Sequence, residues 1–302
     1  MAIALVETVK ELRSRLAQAR GEGRSIAFVP TMGALHAGHA KLVEQAAAGP
    51  GKPLVVVSIF VNPTQFRPEE DFQRYPRTLE ADRALCEASG AHLIFAPTVE
   101  TMYGRGSFSA GQSASSTFVE VPGLSEVLEG ASRPGHFRGV ATVVAKLFLL
   151  VQPDFAYFGQ KDAQQLAVLR RMVRELHFPI TLVGCPTVRE PDGLAMSSRN
   201  RYLSPEQRAH STVLYRALGR AAELVQAGER DCRKLEQAMT NMLDSTPGCQ
   251  RDYALVVDAE TFQPAATWPG QPLAVIAARF GSTRLIDNLE LTGTLSGHSP
   301  LS

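Results

Sequence analysis

The sequence has little net charge and no long apolar run. Its 31 basic and 30 acidic side chains leave a formal net charge of +1, so no net field draws the chain to a nucleic acid or to an anionic membrane. The most apolar stretch, GVATVVAKLFLLV, is interrupted by Lys146 and falls short of the roughly 20 residues that span a bilayer. We therefore expect neither a nucleic-acid partner nor a membrane.

Cysteine is also scarce. The four cysteines are scattered and no two of them form a CxxC pair, which argues against a structural zinc site and against a disulfide framework. The apolar run at the amino terminus is too short for a signal peptide. Together these features predict a cytoplasmic protein.

The composition is that of a globular protein, with 44% hydrophobic and 20% charged residues. Almost wholly apolar runs such as SIAFV, PLVVVSIFV and HLIFAP are typical of strands in a parallel sheet that is covered on both faces. Apolar residues at helical spacing predict helices between them, for example Leu12, Leu16 and Ala19 on one face. This alternation predicts a doubly wound, Rossmann-like α/β domain over residues 1–185, which would bind its ligands beyond the carboxyl ends of the strands.

The pattern changes after residue 185. Helical stretches around 205–227 and 231–243 precede three β-like runs, which predicts a smaller α+β domain over residues 186–290 that acts as a lid. The segment 291–302 lacks apolar periodicity, and we expect it to be a flexible tail.

The segment TMGALHAGH follows the first predicted buried strand. Gly33 and Gly38 allow a turn and a close approach to a ligand, and the helix that follows offers unpaired N–H groups to a phosphate. His36 and His39 share a face if both lie in the first helical turn, where each neutral imidazole could donate an N–H to a phosphate oxygen. A metal-binding pair and two unrelated surface histidines remain alternatives at this point.

Amide side chains follow the next predicted strand, in SIFVNPTQF. Asn62 and Gln65 stand where a doubly wound fold places substrate contacts, and amides suit a small hydroxy acid or an amine. The alternative is that Asn62-Pro63 is only a turn.

Two further segments carry cations. In FGQKDAQQL, Gly159 ends a strand-like run, Lys161 can reach a polyphosphate, and Asp162 is placed to cap a helix that contains Gln165. In GLAMSSRNRYL, serine hydroxyls precede Arg199, whose guanidinium suits a phosphate. Taken singly, the lysine could be merely exposed and the second segment an ordinary polar linker.

In combination these segments are more informative. The HxGH spacing resembles the HIGH-type nucleotidyltransferase superfamily, and PTMGALHAGH, SIFVNPTQF, FGQKDAQQL and VREPDGLAMSSRN, in this order, resemble the pantothenate synthetase (pantoate–β-alanine ligase) family. RYPRT and RPGHFRGVATVV are similar to further segments of that family, so the resemblance extends over about residues 1–290.

The resemblance implies an ATP-dependent condensation of pantoate with β-alanine to pantothenate, AMP and pyrophosphate through a pantoyl adenylate. It implies ATP as a substrate, Mg²⁺ and a homodimer. The expected catalytic residues are His39, His36, Lys161, Ser197 and Arg199. The expected ATP-binding residues are Met32, Gly33, Ala34, Leu35, His36, Ala37, Gly38, His39, Gly159, Gln160, Lys161, Asp162, Val188, Met196, Ser197, Ser198 and Arg199. Pantoate and β-alanine are expected at Gln65, Asn62 and Gln165.

Two points need a structure. The resemblance implies an acidic Mg²⁺-binding region near TLEADRAL, where Asp82 matches best, and Thr64 stands where many members of the family carry Met.

The competing functions are a related nucleotidyltransferase, which keeps the nucleotide in its product, and a nucleotide-binding sensor without turnover. A tRNA synthetase is disfavoured because no basic anticodon-binding extension is evident.

Overall fold

A computed structural model describes residues 3–66, 72–73, 75–104, 108–109, 112–113 and 117–291. The chain forms two compact units. The first contains the chain up to Gly159 together with Val168–Cys185, and the second contains Gln160–Ala167 and the chain from Pro186 onward.

A six-stranded sheet lies at the centre of the first unit, and every neighbouring pair of its strands is parallel. Its strands are β1 (Ala4–Val6), β2 (Ile26–Thr31), β3 (Leu54–Ile59), β4 (Leu93–Phe95), β7 (Phe155–Gly159) and β8 (Thr181–Cys185). A separate two-stranded pair consists of β5 (Phe108–Ser109) and β6 (Gln112–Ser113). The helices of this part of the chain are α1 (Val9–Gly21), α2 (Ala37–Ala47), α3 (Leu79–Ala88), α4 (Val99–Tyr103), α5 (Glu129–Ser132), α6 (His136–Val151) and α7 (Ala163–Glu175).

The central strands are buried on both faces, as their apolar runs predict. On one face, Val43 of α2 packs with Val29 and Val57 of the sheet. On the other, Phe148 of α6 meets Phe28 of β2 edge to face, with ring centroids 6.4 Å apart. Helices therefore cover the sheet on both sides, and the prediction of a doubly wound α/β fold is confirmed.

The strand order β1-β4-β3-β2-β7-β8 reverses direction at β2. Strands β3 and β4 are added on one side of β2, whereas β7 and β8 are added on the other. The carboxyl ends of β2 and β7 thus flank the switch point of the sheet, the place where such folds bind ligands. The TMGALHAGH segment follows β2 and the GQKD segment begins at the end of β7.

The second unit contains a three-stranded antiparallel sheet in the order β11-β10-β9. The strands of this sheet are β9 (Cys249–Asp258), β10 (Pro272–Phe280) and β11 (Thr283–Glu290). The helices of this part of the chain are α8 (Pro205–Ser211), α9 (Val213–Gln226) and α10 (Cys232–Asp244). One face of the sheet, including Ala274 and Ile276, packs with Leu218 of α9 and Leu235 of α10. The prediction of a smaller α+β region is confirmed.

One helix prediction is wrong in detail, because the stretch 205–227 is two helices that meet at Ser211 and Thr212. Their hydroxyls donate to the carbonyls of Arg208 and Ala209, the kind of local bond that bends a helix. In the predicted tail, Leu291 is 2% exposed and its N–H donates to the Pro272 carbonyl, whereas residues 292–302 lie outside the described residues. Among the helices that the structure describes, none is long and apolar enough to cross a membrane.

Candidate active site

The loop after β2 turns sharply before α2 begins. Gly33 and Ala34 both adopt left-handed backbone, with φ of +80° and +52°. A Cβ at Gly33 would lie 3.0 Å from Oδ2 of Asp82 and 3.1 Å from Cγ2 of Ile59. Glycine is therefore required at Gly33 both by its conformation and by the space available.

The carboxylate of Asp82, from α3, holds this turn. Its Oδ2 accepts from the N–H of Ala34 at 3.0 Å and its Oδ1 from the N–H of Leu35 at 2.8 Å. The Thr78 hydroxyl donates to the same Oδ1 at 3.1 Å, and Asp82 is only 2% exposed. The carboxylate is thus already engaged by the protein. Asp82 stays a prediction as a Mg²⁺ ligand, but its geometry favours the role of an anchor for the loop.

His36 and His39 lie at the N-terminus of α2 and cap it reciprocally. The Gly38 N–H donates to Nδ1 of His36 at 3.1 Å, and the His36 N–H approaches Nδ1 of His39 at 3.3 Å. The two ring centroids are 4.1 Å apart. Because each Nδ1 accepts a hydrogen bond, each neutral ring carries its proton on Nε2 and can donate it. The helix begins at Ala37, with His36 as its N-cap.

Asn62 and Gln65 lie on a short 3₁₀ turn, Pro63–Gln65, just after β3. Nδ2 of Asn62 donates to Oε1 of Gln65 at 3.1 Å and to the carbonyl of Gly139 at 3.2 Å. Nε2 of Gln65 lies 2.9 Å from the sulfur of Met32. The turn after β3 is thereby joined to the loop after β2, as the sheet topology predicts. Asn62 is only 1% exposed and Gln65 9%.

Helix α6 packs closely against this turn. A Cβ at Gly139 would lie 2.5 Å from the Thr64 carbonyl oxygen, so only glycine permits this close packing. The carbonyl of Gln65 lies 3.0 Å from Nδ1 of His136 and accepts from Arg133 at 3.4 Å. Arg133 and His136 belong to the RPGHFRG segment, which carries the family resemblance but gave no indication of this contact.

In the second unit, Lys161 belongs to a 3₁₀ turn, Gln160–Asp162, that leads into α7. Its ammonium lies 3.6 Å from Oδ1 of Asp162, and its side chain is 16% exposed. Nδ2 of Asn288, on β11, donates to the carbonyls of Gln160 at 3.0 Å and Lys161 at 2.8 Å. No signal in the sequence pointed to Asn288, because it lies 127 residues from Lys161 along the chain. Gln165 is partly buried in α7.

The remaining predicted nucleotide-binding residues form one continuous segment of the second unit. The Met196 N–H donates to the Val188 carbonyl at 2.9 Å, and Ser197 caps the 3₁₀ turn Ser198–Tyr202 by accepting from the Arg199 N–H at 3.3 Å. This turn presents the exposed Arg199 side chain, a permanent cation that suits an anion.

A buried ion pair supports that segment. Arg189 donates to both carboxylate oxygens of Asp287, at 2.6 and 3.0 Å, and its guanidinium lies over the ring of Tyr215 at 4.3 Å. The side chains of Arg189 and Asp287 are 8% and 1% exposed. Bidentate geometry of this kind fixes orientation as well as distance, so it ties the segment after β8 to β11.

The structure also bears on cysteine chemistry and on metal binding. The four cysteines are free thiols. Burial raises the pKa of Cys86 to about 12 and those of Cys185 and Cys249 to about 11, so these thiols are poor nucleophiles at neutral pH. Within the described residues, no three His, Cys, Asp or Glu side chains are grouped so that they could hold a metal ion.

Comparisons with known proteins show the family to which the chain is related. A family model described as pantoate-beta-alanine ligase matches residues 4–290. A pantothenate synthetase from Pseudomonas fluorescens is 55% identical over 286 residues, which cover 95% of this chain and 97% of the relative. The crystal structure of pantothenate synthetase from Thermus thermophilus has a TM-score of 0.87 and 51% identity, and covers 96% and 99% of the two chains.

A more distant solved structure is informative about ligands. It is a pantoate-beta-alanine ligase from Francisella tularensis, described as complexed with beta-gamma ATP and beta-alanine. Its TM-score is 0.74 at 30% identity, with coverage of 96% of this chain and 98% of that one. The family match over nearly the whole chain and the close relatives lead to one conclusion. The chain belongs to the pantoate–β-alanine ligase family.

Proposed function

We propose roles for individual residues in the ATP-dependent condensation of pantoate with β-alanine, the reaction of the family to which the chain belongs. The observation that carries these roles is the paired capping of α2, which leaves His36 and His39 with their ring protons on Nε2. Two N–H donors at a helix N-terminus form a site for a polyphosphate. The crystal structure of the Francisella tularensis ligase is a complex with beta-gamma ATP and beta-alanine, which supports the same ligands here.

In the first half-reaction, a carboxylate oxygen of pantoate attacks the α-phosphorus of ATP. The bond from that phosphorus to the bridging oxygen breaks, and pyrophosphate leaves. Nε2–H of His36 and of His39 donates to phosphate oxygens as negative charge develops on them, which lowers the barrier without a covalent enzyme intermediate. Lys161, Ser197 and Arg199 supply cations and a hydroxyl for the phosphates, and the backbone of 32–39 and 159–162 with Val188, Met196 and Ser198 holds the nucleotide.

In the second half-reaction, the neutral amine of β-alanine attacks the acyl carbon of the adenylate. The bond from that carbon to the AMP oxygen breaks, AMP leaves, and the nitrogen loses a proton to water to give the amide. The protein contributes mainly by positioning the two reactants. We assign pantoate to Gln65 and Gln165, with Asn62 beside them.

Mg²⁺ is implied by the resemblance and by the charge of ATP. The only acidic residue assigned to it, Asp82, uses its carboxylate oxygens to hold the backbone at Ala34 and Leu35. This donor set does not fit a metal site made by the protein. We therefore assign any Mg²⁺ to the nucleotide phosphates and water, and we route no step through it.

The family resemblance also leads us to propose a homodimer in the cytoplasm. Light-scattering mass of the purified protein tests the dimer, and localisation of a tagged chain by fractionation tests the compartment.

Product analysis tests the proposed function. The purified chain is incubated with ATP, Mg²⁺, pantoate and β-alanine, and each substrate is omitted in turn. We expect AMP and pantothenate to form in equal amounts only when all substrates are present. A nucleotidyltransferase would release pyrophosphate while keeping the nucleotide in its product, and a sensor would release nothing, so either result would contradict the proposal.

A further inference from the structure

Three donors converge on one oxygen next to the pantoate-binding position. Oδ1 of Asn62 accepts from the Tyr103 hydroxyl at 2.7 Å, from the Thr64 hydroxyl at 2.9 Å and from the Thr64 N–H at 3.3 Å. The two hydroxyls lie 3.3 Å apart. Reversal of the amide would set its NH₂ group against the Thr64 N–H and its oxygen against the Gly139 carbonyl, so this orientation is fixed, and both hydroxyls are placed to donate to Oδ1.

The Tyr103 hydroxyl keeps the proton that it donates to Asn62. Burial raises its pKa to about 12, so it stays protonated at neutral pH. Its ring lies beside Phe60, with centroids 6.2 Å apart, and the Lys146 ammonium is 5.3 Å from its centre. The ring of Tyr103 thus lies between Phe60, which follows β3, and Lys146 of α6.

The orientation of Asn62 fixes that of Gln65. Both hydrogens of the Asn62 amide are used, one toward Oε1 of Gln65 and one toward the carbonyl of Gly139. Because the oxygen of Gln65 faces Asn62, its NH₂ group is turned the other way, toward Met32 at the carboxyl end of β2. The NH₂ group of Gln65 is therefore directed toward the loop that follows β2.

We propose that Tyr103 and Thr64 are positioning residues that act through Asn62 to present the amide NH₂ of Gln65 to an oxygen atom of pantoate. This inference rests on the proposed function and deepens it. A donor recognises a carboxylate or hydroxyl oxygen and repels an ammonium group, so the arrangement gives this position to pantoate and not to the amine of β-alanine. Asn62, with its polar atoms engaged by the protein, transmits the orientation and does not bind the substrate itself.

The test compares Tyr103→Phe and Thr64→Val with Thr64→Ser, which keeps the hydroxyl. Pantoate dissociation constants are measured by calorimetry in the presence of a non-hydrolysable ATP analogue, together with KM values for all three substrates. We expect each hydroxyl deletion to weaken pantoate by about 5- to 20-fold, the usual range for one lost hydrogen bond near a ligand, and to leave the KM for ATP unchanged. Thr64→Ser should restore binding to the native value.

Two further variants separate this role from a merely structural one. In a Gln65→Ala background, Tyr103→Phe should cause no additional loss of pantoate affinity, because the residue through which it acts is absent. Gln65→Glu, which places a carboxylate oxygen where the NH₂ group stands, should weaken pantoate more than Gln65→Ala does. Tyr157→Phe, at a buried tyrosine in the core of the same unit, serves as the control and should leave pantoate affinity unchanged.

The inference is overturned if both hydroxyl deletions leave pantoate affinity at the native value, if Tyr103→Phe has its full effect without Gln65, or if Gln65→Glu binds pantoate no worse than Gln65→Ala. Each of these results is compatible with an active enzyme. Failure of the proposed function looks different, since the native chain would then neither bind pantoate nor release AMP.

Discussion

The backbone N–H of His36 points at Nδ1 of His39, and the two nitrogen atoms lie 3.3 Å apart. The ring of His39 therefore accepts from the backbone of His36, which is the N-cap of α2. Both imidazoles therefore have a structural use for Nδ1, and the proposed reaction gives each Nε2 a chemical use. These two uses can be separated by substitution.

His36→Asn keeps an acceptor near the position of Nδ1 and removes the Nε2 donor. Asparagine is a good N-cap, so we expect the thermal midpoint to stay near that of the native protein. Turnover should fall by roughly 100-fold or more, as is typical for the loss of one donor to developing charge. Calorimetric melting and AMP release check the two expectations. His36→Ala is the comparison, since it should lose both the cap and the donor; native turnover in His36→Asn would remove Nε2 of His36 from the mechanism.

Asp82→Asn distinguishes the loop anchor from a metal ligand. The substitution turns an NH₂ group toward the N–H of Ala34 or of Leu35, and an unsatisfied buried donor destabilises the fold by about 1–3 kcal/mol. We expect a lower urea midpoint and a higher KM for ATP. The Mg²⁺ concentration that gives half-maximal rate should not change. A large shift in that concentration with unchanged stability would instead establish Asp82 as a ligand.

Asn288→Asp tests the contact that holds the turn of Lys161. The substitution replaces the NH₂ donor by a carboxylate oxygen, which faces the carbonyls of Gln160 and Lys161 and repels them. We expect the KM for ATP to rise by about 10-fold or more, since one charged acceptor replaces a donor to two acceptors. The KM for β-alanine should change little. Equal effects on every substrate, accompanied by a lower melting temperature, would mean that Asn288 only stabilises the fold.

Gly139→Ala tests the packing of α6 on the Pro63–Gln65 turn. The new methyl group would stand 2.5 Å from the Thr64 carbonyl oxygen, so the turn or the helix must move, and overpacking of this kind destabilises by about 1–3 kcal/mol. Gly219→Ala in α9 is the matched control, since among the described residues no atom outside its own stretch of helix lies within 4 Å of a Cβ placed there. The control should gain about 0.5–1 kcal/mol from helix propensity. Urea unfolding of both variants measures the difference, and equal stabilities would contradict the close approach at Gly139.

The sequence predicts those parts of the fold that depend on local pattern. Apolar runs such as Val55–Val57 predict buried parallel strands, and β3 is found there with those residues fully buried. The short strand Ala4–Val6 was not predicted, because three residues beside a helix give no distinct period.

The site could be predicted only as a set of segments. The spacing of His36 and His39 indicated a shared face, but the use of each Nδ1 as a helix cap depends on backbone directions that no spacing defines. The anchoring role of Asp82 was missed because its partners lie 47 and 48 residues away along the chain. The same holds for Asn288, whose contacts arise only when β11 is in place.

Transfer of a heavy oxygen isotope tests the central claim most directly. Pantoate labelled with ¹⁸O in its carboxylate is incubated with the purified chain, ATP, Mg²⁺ and β-alanine, and the products are analysed by mass spectrometry. If a carboxylate oxygen attacks the α-phosphorus, one labelled oxygen per turnover appears in AMP and the other stays in the amide of pantothenate. AMP without the label would show that no pantoyl adenylate forms and would contradict the account.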